Sequence, residues 1–306
     1  MTQQQITELN TTKTEKIRLL LELGLTRTQV AAALGINYGF VQNVYARIYG
    51  VSRTNNRGNV YVINRSFGIE LEMYNVNAID LTNAMRNESV EFENENYNHT
   101  TRSHWKGVRD RSINGTNGIE VVSPILQGEN GMQQVKSVCK ALNNVNAKVN
   151  KSCGFHVHFS AEDFTIKQWR NLFINFAMFE NHFDSMMPVS RRDSNNRYCK
   201  SIKTKVLNNV PKINAATRLR AITKAIGQDT RYVKLNVESF WRHGTVEFRH
   251  HSGTVDFNKI SNWIEILNSL IEYSATNRAT SADDFYQILN AKTKRYYEAR
   301  KEALAA

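Results

Sequence analysis

Two short segments of the sequence alternate apolar residues with side chains that bind metal ions. In FGIELEM, an extended strand would place Glu70 and Glu72 on one face and the apolar residues on the other. In GFHVHF, the same alternation would place His156 and His158 together. Carboxylates and imidazoles are frequent metal ligands. The two segments therefore predict strands that hold divalent cations.

Two further segments extend this pattern. TVEFRHH would pair Glu247 with Arg249 on one strand face, and GIEVVSP puts Glu120 on another strand. An antiparallel sheet with one solvated face shows the same alternation, although solvated faces draw mainly on Lys, Thr, Ser and Gln. Taken together, the four segments favour a concave sheet face with carboxylates and histidines for cations and arginine for phosphate.

The absence of several well-known sequence motifs argues against some classes of enzyme. The sequence has no GxxxxGK[ST], GxGxxG or GxSxG motif, which argues against P-loop, Rossmann and α/β-hydrolase enzymes. Carboxylates with cationic side chains fit metal-assisted phosphoryl transfer, and a metal-dependent nuclease would use the same parts. The three cysteines lack CxxC spacing, so neither a zinc site nor a disulfide framework is expected. We expect Cys153 and Cys199 to be packing residues rather than nucleophiles.

Apolar periodicity indicates the elements that must position these residues. Strands are predicted near residues 66–74, 118–123, 153–160, 232–240 and 245–251. Helices are predicted near residues 76–88, 131–147, 165–186, 214–227, 257–275 and 281–302. Because strands and helices mix without βαβ alternation, we expect an α+β fold with an antiparallel sheet. His250 should point to the apolar side of its strand as a hydrogen-bonded core histidine.

The first fifty residues have a pattern of their own. Residues 1–12 are polar and predict a disordered start, whereas residues 14–48 have the spacing of three short helices. Thr26 and Gln29 are typical of a capping box at the start of the second helix, and Gly35 should end that helix. Helix, short turn and helix is the arrangement of a helix-turn-helix module, a small all-α domain.

A helix-turn-helix module would bind duplex DNA through residues 14–49. Its third helix would present Tyr38, Gln42, Asn43 and Arg47, which are residue types that contact base edges and phosphates. A three-helix protein-interaction module has the same pattern and stays open. The predicted domains are a DNA-binding module over 1–50, a linker over 51–64 and a catalytic domain over 65–306.

The excess of positive charge is concentrated in two blocks. The chain carries 40 Lys and Arg against 28 Asp and Glu, a net charge of +12, which favours a polyanionic partner or substrate. Residues 1–58 hold seven basic and three acidic side chains, and residues 188–224 hold ten basic and one acidic. We expect the second block to face the mouth of the active site, with Arg191 innermost; a solvated basic loop and a second DNA-facing patch continuous with the N-terminal module stay open as alternatives. Because no signal-peptide or transmembrane pattern is found, a cytoplasmic, non-membrane protein is expected.

Six motifs follow the order and approximate spacing of the amidoligase family, which resembles glutamine synthetase and glutamate–cysteine ligase in fold. They are FGIELE, GIEVVSPIL, CGFHVHF, SRRDSNNRYC, RYVKLN and VEFRHHSGT. The resemblance covers about residues 65–275, and it includes neither the N-terminal helices nor the last helix. It implies a glutamine-synthetase-like antiparallel sheet with flanking helices.

The resemblance also implies a reaction, the ATP-dependent joining of a carboxylate to an amine through an acyl phosphate. It implies that Mg²⁺, or Mn²⁺ in its place, is held by Glu70, Glu72, Glu120, His156 and Glu247. His158 would lie beside the carboxylate substrate. The arginines Arg191, Arg231 and Arg249 would face phosphate or carboxylate oxygens, the last two as ATP-binding residues. Asp110 matches an Asp-x-Ser element of the family with looser spacing from Glu120.

Three hypotheses of function follow. The first is a DNA-tethered amidoligase acting on amino-acid or peptide-like carboxylates and amines. The second is a DNA-binding regulator or structural protein with a non-catalytic ligase-like domain, and the third is a metal-dependent nuclease. Every expected type of metal ligand is present, which favours the first, because a sensor could lose carboxylates without losing its fold. ATP turnover separates the first from the second, and DNA cleavage without ATP would indicate the third.

Overall fold

The computed structural model divides the chain into two compact units, Met1–Val60 and Tyr61–Ala306. The residues that the structure describes are 1–38, 40–41, 44–45, 63–228 and 230–305. Three of the predicted DNA-contacting residues, Gln42, Asn43 and Arg47, lie outside the described residues, as does most of the predicted linker. Within the described residues, no helix is both long enough and apolar enough to span a membrane.

The first unit is built from short helices. They are α1 (Gln3–Glu8), α2 (Lys13–Glu22) and α3 (Arg27–Leu34), and Tyr38, Phe40, Val41, Val44 and Tyr45 are also helical. Its apolar centre is formed by Ile6, Ile17, Leu20, Val30, Ala31, Val41 and Val44. Thr26 and Gln29 form the expected capping box, and Gly35 ends α3 in the left-handed conformation at φ 60°.

The prediction of a disordered start was wrong, because residues 3–8 form α1. Thr2 caps this helix and exchanges two hydrogen bonds with Gln5, which is a capping box that the polar composition concealed. Ile6 is 2% exposed and packs with the apolar residues of α2 and α3. One buried isoleucine and a complete cap are therefore enough to order a polar segment.

The second unit contains one sheet and most of the helices. Its strands are β1 (Phe67–Met73), β2 (Phe92–Glu95), β3 (Trp105–Arg109), β4 (Ile119–Val122), β5 (Gly154–Ser160), β6 (Leu235–Asn236) and β7 (Thr245–Ser252). Its helices are α4 (Ala78–Asn87), α5 (Gly128–Asn144), α6 (Ile166–Ser185), α7 (Lys203–Leu207), α8 (Val210–Ala215), α9 (Leu219–Ala225), α10 (Glu238–His243), α11 (Phe257–Thr276) and α12 (Ala291–Ala303). Two 3-10 helices cover Val189–Arg191 and Ala282–Ile288.

The seven strands form one sheet in the order β2-β3-β4-β1-β5-β7-β6. All neighbours are antiparallel except the β2–β3 pair at one edge, which is parallel. The expected α+β class with a mainly antiparallel sheet is thus confirmed. Apolar residues on one face of the sheet pack against helices such as α6 and α11, whose buried stripes include Phe176 and Trp263.

Several predicted elements needed correction. The strand predicted over 232–240 is only two residues long, because the Asn236 side chain accepts the backbone N–H of Glu238 at 2.9 Å and a helix begins there. The helix predicted over 214–227 is interrupted, since Arg170 binds the carbonyl oxygen of Ala216 and residue 216 is extended. The helix predicted over 281–302 is a 3-10 helix followed by α12, which Asn290 caps.

Strands β2 and β3 were not predicted, because they lie in a polar, Asn-rich segment. Their packing depends on Gly107, where an added Cβ would lie 2.8 Å from both Ile119 Cδ1 and Phe92 Cζ. Only glycine allows these neighbours to approach the strand so closely. The contact of Gly107 with Ile119 and Phe92 joins residues that are distant in the sequence, so the local periodicity of the segment could not predict it.

A buried charge network fixes α6 to the sheet behind the strands. Lys234 is fully buried and donates to Glu180 Oε1 at 2.9 Å and to Asp184 Oδ1 at 2.6 Å. His250 Nε2 lies 2.6 Å from the same Asp184 oxygen, as expected of a core histidine. Burial would raise the pKa of Asp184, but His250 and Lys234 lower it to about 2. Burial and the nearby lysine lower the pKa of His250.

Removing this lysine should destabilise the protein strongly. We expect Lys234→Ala to lower the free energy of unfolding by about 3–5 kcal/mol, because two carboxylates would be left buried without their cation. Lys259→Ala is the control, since this lysine lies 4.0 Å from Asp256 at a partly exposed position and should contribute little. Chemical denaturation measures both. A loss below about 1 kcal/mol for Lys234→Ala would contradict this reading of the network.

Candidate active site

The register of the sheet brings the predicted metal-binding residues onto one face. Glu70 lies opposite His156 across β1 and β5, and Glu72 lies opposite Glu120 across β1 and β4. His158 lies opposite Glu247 across β5 and β7. Because directly opposed residues of antiparallel strands share a face, three neighbouring pairings gather the six side chains.

His156 lies at the centre of these carboxylates. Its Nδ1 atom is 2.9 Å from Glu70 Oε2 and 3.7 Å from Glu247 Oε1, and its Nε2 atom is 3.7 Å from Glu72 Oε1. Two groups of ligand atoms each lie within 4.8 Å of one another: Glu70, His156 and Glu247, and Glu72, Glu120 and His156. A neutral imidazole has one lone pair for a metal. His156 can therefore serve one of the two groups at a time.

The glutamates are held in place by polar contacts at the rim of the cluster. The backbone N–H of Gly154 donates to Glu72 Oε2 at 2.5 Å, and Asn236 Nδ2 donates to Glu247 Oε2 at 2.6 Å. Arg249 Nη1 donates to the other Glu247 oxygen at 2.5 Å. A Cβ at residue 154 would lie 2.7 Å from His156 Nε2, so any larger residue here would displace the His156 ring.

The pKa values of two neighbouring carboxyl groups, Glu70 and Glu120, are shifted in opposite directions. Burial would raise the pKa of Glu70, but hydrogen bonds from His156 and His158 hold it well below its usual value. Burial raises the pKa of Glu120 well above its usual value, and the charges of Glu70 and Glu72 raise it further. Opposite shifts of neighbouring carboxylates are characteristic of functional sites.

His158 completes the polar face. Burial would lower its pKa, but Glu247 and Glu70 raise it. Its Nδ1 atom is 3.1 Å from Thr245 Oγ1, and its Nε2 atom lies 3.4 Å from Glu70 Oε1 and 3.8 Å from Glu247 Oε1. The imidazole therefore links a carboxylate of β1 with one of β7.

The donor set fits a hard divalent cation such as Mg²⁺. Four carboxylates and an imidazole supply oxygen and nitrogen ligands, and Glu72, His156 and Glu247 are each less than one-tenth exposed. A cation would also compensate the charge of carboxylates that burial deprives of water. The three cysteines are free and buried, in keeping with the expected packing role.

The polar face forms the floor of a cleft with two connected cavities. The smaller, of about 390 Å³, contains the carboxylates together with Arg191, Arg231, Arg249, Asp110, Tyr198 and Tyr232. The larger, of about 700 Å³, has a more apolar wall that includes Phe67, Pro124, Ile125, Phe240 and Trp241. Both cavities are lined by Glu70, His99, Glu120, His158, Arg242 and His243. Such dimensions suit small organic substrates.

The three predicted arginines all reach the smaller cavity from different elements. Arg191 is 3% exposed and donates to the carbonyl oxygen of Cys153 at 2.6 Å, so it also supports the start of β5. Arg231 lies over the Tyr232 ring at 5.4 Å. Of the basic block over 188–224, Arg191 and Tyr198 are the residues that line a cavity, while Lys205 donates to the carbonyl oxygen of Gly227. That the rest of the block faces the mouth stays a prediction.

Sequence reasoning missed several residues of the cleft. Asn236 binds Glu247, but it lies in a segment that was predicted to be a continuous strand. His99 and Lys106 lie in or beside the polar region whose strands were not predicted, and Arg242 and His243 are carried by α10. Charged and imidazole side chains in that polar region were the available signal, but no periodicity connected them to a face.

The residues proposed for DNA binding belong to the first unit and are separate from this cleft in the sequence. Tyr38 is helical and 37% exposed. The other three proposed contacts lie outside the described residues, so the DNA-binding assignment stays a prediction.

Comparison with known proteins assigns the second unit to a family. A family model described as "Putative amidoligase enzyme" matches residues 63–271, about two-thirds of the chain. Comparison with curated proteins gave no match. The matched range contains every residue of the carboxylate cluster and all three arginines, and it excludes the first unit and α12.

Repulsion between the crowded carboxylates should lower the free energy of unfolding of the wild-type protein. We expect Glu120→Gln to raise the free energy of unfolding by about 1 kcal/mol at pH 8 without divalent cations, because Glu120 lies directly opposite Glu72. Since its pKa is raised in the folded protein, the folded state binds more protons than the unfolded state. Wild-type stability therefore falls as pH rises above the ordinary glutamate pKa, and the advantage of the variant should shrink towards pH 5.

Thermal and urea unfolding at both pH values measure this difference. Glu91→Gln is the matched control, because Glu91 is exposed and the change should be neutral at either pH. A Glu120→Gln variant that is destabilised at pH 8 would show that the carboxylates of the cluster do not repel one another in the folded protein.

Proposed function

Because the chain belongs to the amidoligase family, we propose that it is an ATP-dependent carboxylate–amine ligase that works through an acyl phosphate. The observation that supports this most is the cleft itself, in which four glutamates and a histidine lie beside three arginines. Carboxylates are the ligands of the cations that accompany nucleotide phosphates, and arginine binds phosphate and carboxylate oxygens through its planar fork.

The cation would be Mg²⁺ or Mn²⁺, held by Glu70, Glu72, Glu120, His156 and Glu247. When bound, it would act as a Lewis acid and neutralise charge that develops on the phosphate oxygens during transfer. Glu72 and Glu247 are buried, Glu70 and Glu120 are half-buried, and all four are aligned before any ligand arrives, so little reorganisation is needed. Asn236 and Arg249 orient Glu247 from two sides.

The arginines would stabilise the oxyanions of the reaction. An oxygen of the acid attacks the γ-phosphorus of ATP, the bond to the β,γ-bridging oxygen breaks, and ADP leaves. The amine nitrogen then attacks the acyl carbon, phosphate leaves with the electrons of the carbon–oxygen bond, and the nitrogen loses a proton. Arg249 and Arg231 would bind phosphate oxygens, with Arg191 beneath them, because negative charge accumulates in both steps. His158 would lie beside the acid.

A trapping assay tests this proposal directly. The protein would be incubated with ATP, Mg²⁺, hydroxylamine and a panel of amino acids and peptides, because hydroxylamine converts acyl phosphates into hydroxamates. ADP formation that depends on the acid, together with an equal amount of hydroxamate by mass spectrometry, is expected. Neither product with any acid would support a non-catalytic regulator, and DNA cleavage without ATP would support a nuclease.

Glu72→Gln should separate the metal site from the rest of the fold. We expect turnover to fall by roughly a hundredfold or more, on the order of 3 kcal/mol of transition-state stabilisation, while the circular dichroism spectrum stays unchanged. Glu302→Gln, at an exposed position of α12, is the control. Near-normal turnover by Glu72→Gln would refute the assignment of the metal ligands.

We further propose that the first unit tethers the enzyme to duplex DNA. The support is the pair of capped helices α2 and α3, the positive surplus of residues 1–58 and the exposed Tyr38. Phosphate contacts from Lys and Arg would supply most of the non-specific affinity. Base contacts from Gln42 and Asn43 would supply preference for a sequence.

Replacing Gln42, Asn43 and Arg47 together by Ala should weaken DNA binding by about tenfold or more. Fluorescence anisotropy with the full chain and a labelled duplex measures this at several salt concentrations, and a steep decline of affinity with salt is expected. A Gln3→Ala, Gln4→Ala variant on α1 is the control. Equal affinity of the triple variant and the wild-type protein would rule out this helix as the DNA contact.

A further inference from the structure

A buried lysine lies on the same sheet face as the carboxylate cluster, yet the proposed reaction does not use it. Lys106 lies opposite Val122 in the β3–β4 pair, which places it on the face of Glu70 and Glu120. It is 2% exposed and lines the larger cavity. A buried ammonium group is costly unless it is fully hydrogen-bonded, so its contacts should reveal its role.

All three donors of Lys106 are directed at one segment without regular secondary structure. Nζ donates to the carbonyl oxygen of Asn98 at 3.2 Å, to Asn98 Oδ1 at 2.8 Å and to the carbonyl oxygen of Thr100 at 2.7 Å. An ammonium group has three donors, so none remains for a substrate. Burial lowers the pKa of Lys106, while the charge of Glu95 opposes that shift.

Asn98 links this lysine to the rest of the segment. Its Oδ1 atom also accepts the backbone N–H of Thr100 at 3.0 Å, and its Nδ2 atom donates to Glu95 Oε2 at 2.7 Å. Tyr97 gives this segment a further support, because its Oη atom lies 3.4 Å from His99 Nε2 and the two rings meet edge to face at 5.1 Å. His99 lies between Asn98 and Thr100 in the sequence, and it lines both cavities, as do Glu70 and His158.

We propose that Lys106 is a positioning residue for the ligase reaction, because it holds residues 97–100 in the wall shared by the two cavities and so directs His99 towards the reacting amine. This inference rests on the proposed function. The His99 ring offers a nitrogen that can accept a hydrogen bond from the amine N–H. Partial burial lowers the pKa of His99, and the charges of Arg242 and Arg231 lower it further. A shift of about 1 Å in such a group can reduce turnover by roughly a hundredfold.

The test compares Lys106→Met with Lys106→Arg, which keeps a cation that can donate to the same oxygens. Hydrogen exchange of the backbone amides of residues 97–101 should become at least about tenfold faster in Lys106→Met, and Lys106→Arg should recover much of the protection. With hydroxylamine as the amine, kcat should fall by about tenfold or more while KM for ATP changes less than about twofold. Lys140→Met, at an exposed lysine of α5 that pairs with Glu88, should match the wild type.

A double-mutant cycle decides whether Lys106 acts through His99. If it does, Lys106→Met should add little to the loss caused by His99→Ala; full additivity would overturn the proposal. Unchanged exchange in Lys106→Met, or faster exchange with unchanged kcat, would also overturn it. If Lys106→Met fails to fold, Asn98→Ala removes one acceptor, keeps the lysine and should show the same changes in smaller measure. A wild-type protein that forms no hydroxamate would refute both the proposed function and the catalytic role of Lys106. Hydrogen exchange would then still show whether Lys106 holds residues 97–100 in place.

Discussion

Four glutamates share one face of a sheet within a few ångströms of a single histidine. Much of the second unit serves to hold these like charges close together. The register of β1 with β4 and β5 places Glu72 opposite Glu120 and Glu70 opposite His156. Arg249, Asn236 and the backbone of Gly154 then hold individual oxygens. The raised pKa of Glu120 indicates that its ionised form costs stability in the folded protein, whereas the lowered pKa of Glu70 reflects stabilisation of its ionised form by His156 and His158. Such local conflict is expected where a site is built for a ligand.

The other side of the sheet shows how the fold tolerates this conflict. Apolar residues there pack against α6 and α11, and the charge of Lys234 is matched by Glu180 and Asp184. This network lies behind β6 and β7, the strands that carry Asn236 and Glu247. The polar cleft is thus backed by an apolar layer in which buried charged groups have partners.

The parts of this architecture that the sequence revealed are those with a local signature. Strict alternation identified β1, β4, β5 and β7 and placed His250 on the apolar side, and the Thr26–Gln29 spacing identified a helix start. Contacts between residues that are distant in the sequence have no local pattern, so they could not be predicted. Asn236 ends a strand through its own side chain, Gly107 is required by Ile119 and Phe92, and Lys106 holds a segment that has no periodicity. These residues shape the cleft, although no pattern in the chain marks them.

The central claim is that the glutamate face holds divalent cations together with ATP. Calorimetric titration of Mn²⁺ into the protein near pH 6, with and without ATP and in two buffers of different ionisation enthalpy, tests it most directly. We expect saturable binding that ATP strengthens and whose heat depends on the buffer, because the raised pKa of Glu120 makes protons compete with the metal for this carboxylate. Binding that is absent even with ATP, or heats that are identical in the two buffers, would contradict the account.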